Sequence, residues 1–153
     1  MGREEQYQAA QQELLRRTEQ ERDLIANLSN ASAILNEFMD EINWVGFYLY
    51  REEQLILGPF QGRPACVRIQ IGKGVCGTAF GNNETLVVPD VHEFPGHIAC
   101  DDRSRSEIVV PIRQGGKATA VLDIDSPVAK RFGELDRRYL EEFVRTLETC
   151  CNW

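Results

Sequence analysis

Hydrophobic and polar positions divide the chain into three stretches of different period. From Arg3 to Asn43 there is no proline, and Ile25, Leu28, Leu35, Phe38 and Met39 recur at helix-face spacing with Ala31 between them. The spacing predicts one helix over about 4–20 and a second over about 22–39, their Glu/Arg-rich faces turned to solvent. The period then shortens to two. In NWVGFYLY, Val45, Phe47 and Leu49 alternate with Trp44, Gly46, Tyr48 and Tyr50, a strand pattern. REEQ reads as a turn, LILG as a short return strand and GPFQGRP as a loop rich in breakers. CVRIQI, from Cys66 to Ile71, alternates again; GKGVCGTAFG reads as a glycine turn entering a short helix, and TLVV as a strand. Beyond the long loop PDVHEFPGHIACDDRSRS, EIVVPI and KATAVLDID form a hairpin over Arg113–Lys117. Helical period returns from about Gly133 to Leu147, where Leu135, Tyr139, Leu140, Phe143 and Leu147 make one stripe.

The elements add up to an α+β domain, with helices at both ends flanking a mostly antiparallel sheet of five or six strands. A loop of about seventeen residues is long for a connection without a function. Strand alternation turns residue identity into geometry. Val45, Phe47 and Leu49, then Val67, Ile69 and Ile71, then Ile108, Val110 and Ile112, and Ala120, Leu122 and Ile124 form faces suited to packing on helices. The opposite faces collect Trp44, Tyr48, Cys66, Glu107, Asp123 and Asp125. One wet face is common in antiparallel sheets, but Trp44 is a costly side chain to leave in water. The loop carrying Cys100 ends beside the Glu107 strand and is expected to cover that side.

Composition narrows the function classes. The length of 153 residues fits one domain over 1–153, with 42% hydrophobic and 27% charged residues. A net charge of -7 disfavours a nucleic-acid or anionic-membrane binder. No apolar run is long enough to span a bilayer, the N-terminus has no apolar core of a secretory signal, and Gln6 stands where a myristoylation pattern needs Ser or Thr. A cytoplasmic location is expected. The five cysteines, an odd number, are then expected to be reduced at rest rather than to form a structural disulfide set.

The thiols are the main candidates for chemistry. Cys100 lies in GHIACDDRSRSE, where His97, Arg103 and Arg105 favour a thiolate and Asp101 and Asp102 oppose one. Cys76 falls early in the short helix after GKG, where the helix dipole favours thiolate, or it is a small residue packed inward. Cys66 can be an ordinary strand residue, and Cys150 and Cys151 carry no assigned role. His92, His97 and Cys100, with Cys66 and Cys76 available, match no standard zinc spacing, so no metal is expected. GKGVCG lacks the phosphate-loop pattern.

NWVGFYL, LGPFQGRPACVRI, GKGVCGTA, DVHEFPGHIACD, SEIVVP and VLDIDSP together resemble the free methionine-(R)-sulfoxide reductase family, a catalytic branch of the GAF domains. The resemblance runs from about Leu24 to Phe143 and includes three family cysteines, Cys66, Cys76 and Cys100; residues 1–21 lie outside the matched blocks. It implies a GAF-like fold with terminal helices on one face of the sheet and a loop-covered pocket on the other. It implies thiol-dependent reduction of free L-methionine (R)-S-oxide, a repair of oxidative damage. Cys100 would attack the sulfoxide sulfur and become a sulfenic acid. Cys66, or alternatively Cys76, would resolve it as a disulfide, recycled by thioredoxin with NADPH through thioredoxin reductase, with no bound cofactor. Glu107, Asp123 and Asp125 would supply the proton and hold the substrate ammonium; Trp44 and Tyr48 would wall its methyl group. Backbone N–H groups around Cys100 would meet the substrate carboxylate. A homodimer, with the N-terminal helix in the contact, is also implied. The alternatives are a non-catalytic GAF module that binds a small ligand or senses redox state, and a zinc-stabilised interaction domain. The absence of an output domain after the last helix favours the enzyme.

Overall fold

The computed structural model describes residues 1–97 and 102–153. Helix α1 spans Arg3–Thr18, with Glu4 and Glu5 in its first turn and Arg16 and Arg17 in its last, both favourable to the helix dipole. Helix α2, Leu24–Phe38, starts where the Asp23 carboxylate accepts a bond from the Ala26 N–H at 2.9 Å. Both helices are shorter than their pattern predicts. Ile25 is half exposed, because the buried stripe of α2 runs through Leu28, Ala31 and Leu35 and Ile25 lies to one side of it.

Strands β1 (Trp44–Arg51), β2 (Gln54–Gln61) and β3 (Arg68–Ile69) precede helix α3 (Gly74–Asn82). Strand β4 (Leu86–Val88), a single 3-10 turn (Val91–Glu93), strands β5 (Ser106–Gln114) and β6 (Lys117–Ser126), and helix α4 (Glu134–Cys150) complete the chain. The strands make one six-stranded sheet in the order β3-β2-β1-β6-β5-β4. Every neighbouring pair is antiparallel.

Helices α1, α2 and α4 cover one face. Val45, Phe47 and Leu49, Ile108, Val110 and Ile112, and Ala120, Leu122 and Ile124 are buried there against Leu14, Leu28, Leu35, Leu140 and Leu147, as alternation predicts for these three strands. A buried polar knot ties the helical layer together. Arg131 pairs with Asp136 at 3.1 Å and with Asp40 at 3.1 Å, and the Tyr7 hydroxyl donates to Asp136 at 2.6 Å. Burial, followed by the Asp136 charge, pushes the Tyr7 phenol well above its ordinary range, so it stays a donor.

Two expectations fail at the β2–β3 edge. β2 does not stop at Gly58 but runs to Gln61. Tyr48 pairs with Leu57 and Gly46 with Phe60, so Gly58 and Pro59 together face the single residue Phe47. The breakers mark a β-bulge, where a proline without an N–H is tolerated. β3 has only two residues, and Cys66 lies in the connection before it rather than on a strand. Its faces are also reversed: Ile69 is buried on the side of α3, Arg68 reaches out to Glu52 at 3.1 Å, and Val67 is exposed. Period two says which residues share a face, not which layer that face meets; here α3 covers the sheet on the side opposite the other helices.

Candidate functional site

On the α3 side the sheet is not wet. Trp44, Tyr48, Leu55, Ile69, Val75, Ala79, Val109 and Val121 form a second apolar cluster. Register decides what lies within it. Trp44 pairs with Asp125, and Asp125 with Glu107, so an indole and two carboxyls form one row across β1, β6 and β5. In the next pocket-facing row Gly46 pairs with Asp123, and Asp123 with Val109. Phe60 and Trp44 fill the place where a side chain at Gly46 would stand. A Cβ there would overlap Phe60 Cβ and lie 2.8 Å from Trp44 Cη2 and 2.9 Å from Phe60 Cα. Gly46→Ala is therefore expected to cost about 1–3 kcal/mol by overpacking. The thermal midpoint should fall by roughly 2–4 °C for each kcal/mol, and substrate affinity should weaken with it as Trp44 is displaced.

A cleft with about 570 Å³ of empty space, partly open to solvent, lies over these rows. The sheet supplies Trp44, Tyr48, Glu107, Asp123 and Asp125; Lys73, Gly74, Val75 and Cys76 come from the start of α3. Pro64, Ala65, His97 and Ser104 also line the cleft. Trp44 stacks on Phe60 at 5.3 Å and on Tyr48 at 6.0 Å. Both pocket aromatics also hold the 63–66 connection by hydrogen bonds: Trp44 Nε1–H donates to the Arg63 carbonyl at 3.1 Å and the Tyr48 hydroxyl to the Cys66 carbonyl at 2.9 Å. Gly62, at φ 142°, lets that connection turn against the indole, since a Cβ would lie 2.5 Å from Trp44 Cδ1.

Electrostatics follow from burial. Glu107 is 6% exposed, and desolvation, then the charges of Asp123 and Asp125, push its pKa well above the ordinary carboxyl value. Desolvation raises Asp123 too, while hydrogen bonds from Glu107 and Cys76 pull it back, so Glu107 holds the shared proton most firmly. Asp123 Oδ1 is buried without a hydrogen-bond partner. Cys76 is 4% exposed and its thiol is pushed well above its ordinary pKa, first by burial and then by Asp123. Of the two sequence readings of Cys76, the small residue packed inward is the one the structure shows, and the dipole-favoured thiolate is not. The dipole of a nine-residue helix is outweighed by desolvation and neighbouring carboxylates, and the Cys76 thiol stays neutral beside Asp123. Burial and the same acids push the Tyr48 phenol up, which keeps its proton on the bond to Cys66. Burial, followed by His92, lowers His97.

The comparisons bear on the whole chain. The GAF domain family model matches residues 3–150. "Protein YtsP" of Bacillus subtilis is 57% identical over 95% of this chain and 91% of its own length. "Free methionine-R-sulfoxide reductase" of Escherichia coli is 51% identical over 84% of this chain and 78% of its own. The chain belongs to this reductase family of GAF domains. The structure of fRMsr of Staphylococcus aureus in complex with substrate superposes with a TM-score of 0.89 at 54% identity, covering 93% of each chain.

The sequence-predicted site residues of this GAF reductase fold divide into three groups. Trp44, Tyr48, Glu107, Asp123 and Asp125 meet in the cleft, and Cys76 meets them from α3. Cys66 directly follows the lining residues Pro64 and Ala65, is half-buried and is disulfide-bonded, whereas Cys76, Cys150 and Cys151 are free. Cys100 and the segment around it lie outside the described residues. The segments leading to it are held in place: the Val91 N–H donates to the Arg105 carbonyl at 2.8 Å and the Arg105 N–H to the Ser126 carbonyl at 2.7 Å. Among the described residues, the donors that converge closely enough for a metal are Cys76, Glu107 and Asp123; the two histidines, with ring centroids 6.3 Å apart, are not among them. Sequence reasoning missed Lys73 and the first turn of α3. Its signal was GKG at a helix start, which places free N–H groups and a cation at the cleft.

Proposed function

We propose that the cleft over Trp44, Glu107, Asp123 and Asp125 reduces free methionine R-sulfoxide to methionine. The observation that carries this is the row Trp44–Asp125–Glu107, an apolar wall and two acids held in register inside a half-enclosed cleft. Trp44 and Tyr48 contact the substrate methyl. The unpartnered Asp123 Oδ1, with Asp125, receives the ammonium. Lys73 and the N–H groups of Gly74 and Val75 meet the carboxylate; the loop amides around Cys100 expected from sequence lie outside the described residues. Substrate size follows from these contacts: charges at both ends of an amino acid are recognised, which a residue inside a polypeptide lacks.

The Cys100 thiolate attacks the sulfoxide sulfur while Glu107 gives its proton to the departing oxygen. The substrate sulfur gains two electrons, methionine leaves, and Cys100 is left as a sulfenic acid. The Cys66 thiol condenses with it, releasing water and forming a Cys66–Cys100 disulfide. A thioredoxin-like dithiol reduces that bond by exchange and is itself oxidised. Tyr48 presents Cys66 for this step through its carbonyl bond. Cys76 is placed instead to donate to Asp123. The proposed assembly is a homodimer in the cytoplasm; among the described residues no helix is long and apolar enough to cross a membrane, and Leu15, exposed on α1, is a side chain that a dimer contact would cover.

The test couples the protein to thioredoxin, thioredoxin reductase and NADPH, and offers the free R form, the free S form and a sulfoxide peptide separately. NADPH loss with the free R form alone is expected. No turnover by folded, reduced protein would instead support the redox-sensing module. In a quench experiment without reductant, Cys66→Ser is expected to release one methionine per chain and then stall in the coupled assay. Cys76→Ser is expected to go on through multiple turnovers, because serine keeps the donor to Asp123. The reverse pattern would make Cys76 the resolving thiol.

A further inference from the structure

We propose that Cys76, Glu107 and Asp123 form a binding site for a thiophilic divalent cation of the zinc type, and that the cation excludes substrate from the cleft. One ligand atom from each residue lies within 4.8 Å of the other two, and all three side chains are buried. A second observation points to a ligand: Asp123 lines the cleft, is only 6% exposed, and its Oδ1 is buried with no hydrogen-bond partner.

The donor set selects the ion. One sulfur and two carboxylate oxygens suit zinc or cadmium better than magnesium or calcium, which prefer all-oxygen shells. Bond lengths of about 2.0–2.3 Å put tetrahedral donors roughly 3.5 Å apart, so a modest inward movement of these side chains closes the shell. The fourth position faces the cleft and stays open to water, as in zinc sites with three protein ligands. Coordination releases the thiol and carboxyl protons to solvent, because the ion's own charge outweighs the neighbouring acids. The cation takes over the oxygen that otherwise meets the substrate ammonium and ties up the proton donor Glu107. The exclusion rests on the reading of this cleft as the sulfoxide site; the cation binding does not.

Oxidised protein tests both parts, since with Cys66 held in its disulfide the reductive cycle cannot turn sulfoxide over. In the full chain carrying Cys150→Ser and Cys151→Ser, with Cys66 held in its disulfide, cadmium chloride is titrated and the sulfur-to-cadmium charge-transfer band in the ultraviolet is read. One cadmium ion per chain is expected. The band should disappear on adding Cys76→Ser, and binding should weaken about tenfold or more with Asp123→Asn; circular dichroism verifies that each variant is folded. Free methionine R-sulfoxide should raise the apparent cadmium Kd in proportion to its concentration. A missing band, or one that survives Cys76→Ser, overturns the cation site and leaves the reductase reading intact. A band that sulfoxide leaves untouched overturns the exclusion, and with it the placement of the substrate over Asp123.

Discussion

Replacing Cys100 by Ser is expected to lower kcat/KM for free methionine R-sulfoxide by on the order of 10⁴-fold or more, the scale of losing a covalent nucleophile. A hydroxyl is not ionised at neutral pH, and its oxygen cannot accept the sulfoxide oxygen and later exchange with a dithiol. The loss should fall on the first chemical step. In a quench experiment without reductant the variant should release no methionine, where Cys66→Ser releases one per chain. Substrate binding measured by calorimetry should persist, because Trp44, Asp123, Asp125 and the start of α3 are untouched. That combination separates loss of the nucleophile from loss of the fold. Methionine release from Cys100→Ser at a rate within about tenfold of the parent would remove Cys100 from the nucleophile's position.

The parts of this site that were legible in the sequence are those written in period two. Alternation alone put Trp44 and Tyr48 of β1, Glu107 of β5, and Asp123 and Asp125 of β6 on one side of their strands, and the structure brings all five into the cleft. Strand order and register are not written that way. That β6 lies between β1 and β5, so that Trp44, Asp125 and Glu107 align, is a result of long-range pairing. Alternation also fails where strands are short. With two paired residues at the sheet edge, β3 carries too little pattern to show that Ile69 meets α3 and that Cys66 precedes the strand. Gly58 and Pro59 read as loop because a bulge and a loop use the same residues. The state of Cys76 was illegible for a different reason. Its place near a helix start is local and visible, whereas the burial and the carboxylates that oppose ionisation come from β5 and β6, about thirty residues or more along the chain.

The same burial gives Glu107→Gln two opposite expected effects. On activity, glutamine keeps the shape and loses the proton donor, so kcat is expected to fall by about 10²–10⁴-fold while KM changes little. The fall in the parent's rate as pH rises through the raised Glu107 pKa should disappear from the residual activity. On stability the change is favourable, and its sign follows from linkage. The folded-state pKa of Glu107 is raised above its ordinary value of 4.5. Below 4.5 both states hold the proton and ionisation contributes nothing. As pH rises past that point the unfolded chain releases the proton first, the folded state binds more, and stability falls until the folded pKa is passed. Glutamine removes this penalty. Thermal melts should show the two proteins closest at acid pH and the variant increasingly the more stable toward neutral and alkaline pH, by roughly 2–4 °C for each kcal/mol recovered. Asp123 keeps its own raised pKa in the variant, so some loss of stability with rising pH remains. A variant that melts below the parent by the same margin at every pH would show that Glu107 acts as a packing and hydrogen-bonding group. A variant with turnover within about tenfold of the parent would move the proton donor to Asp123 or Asp125.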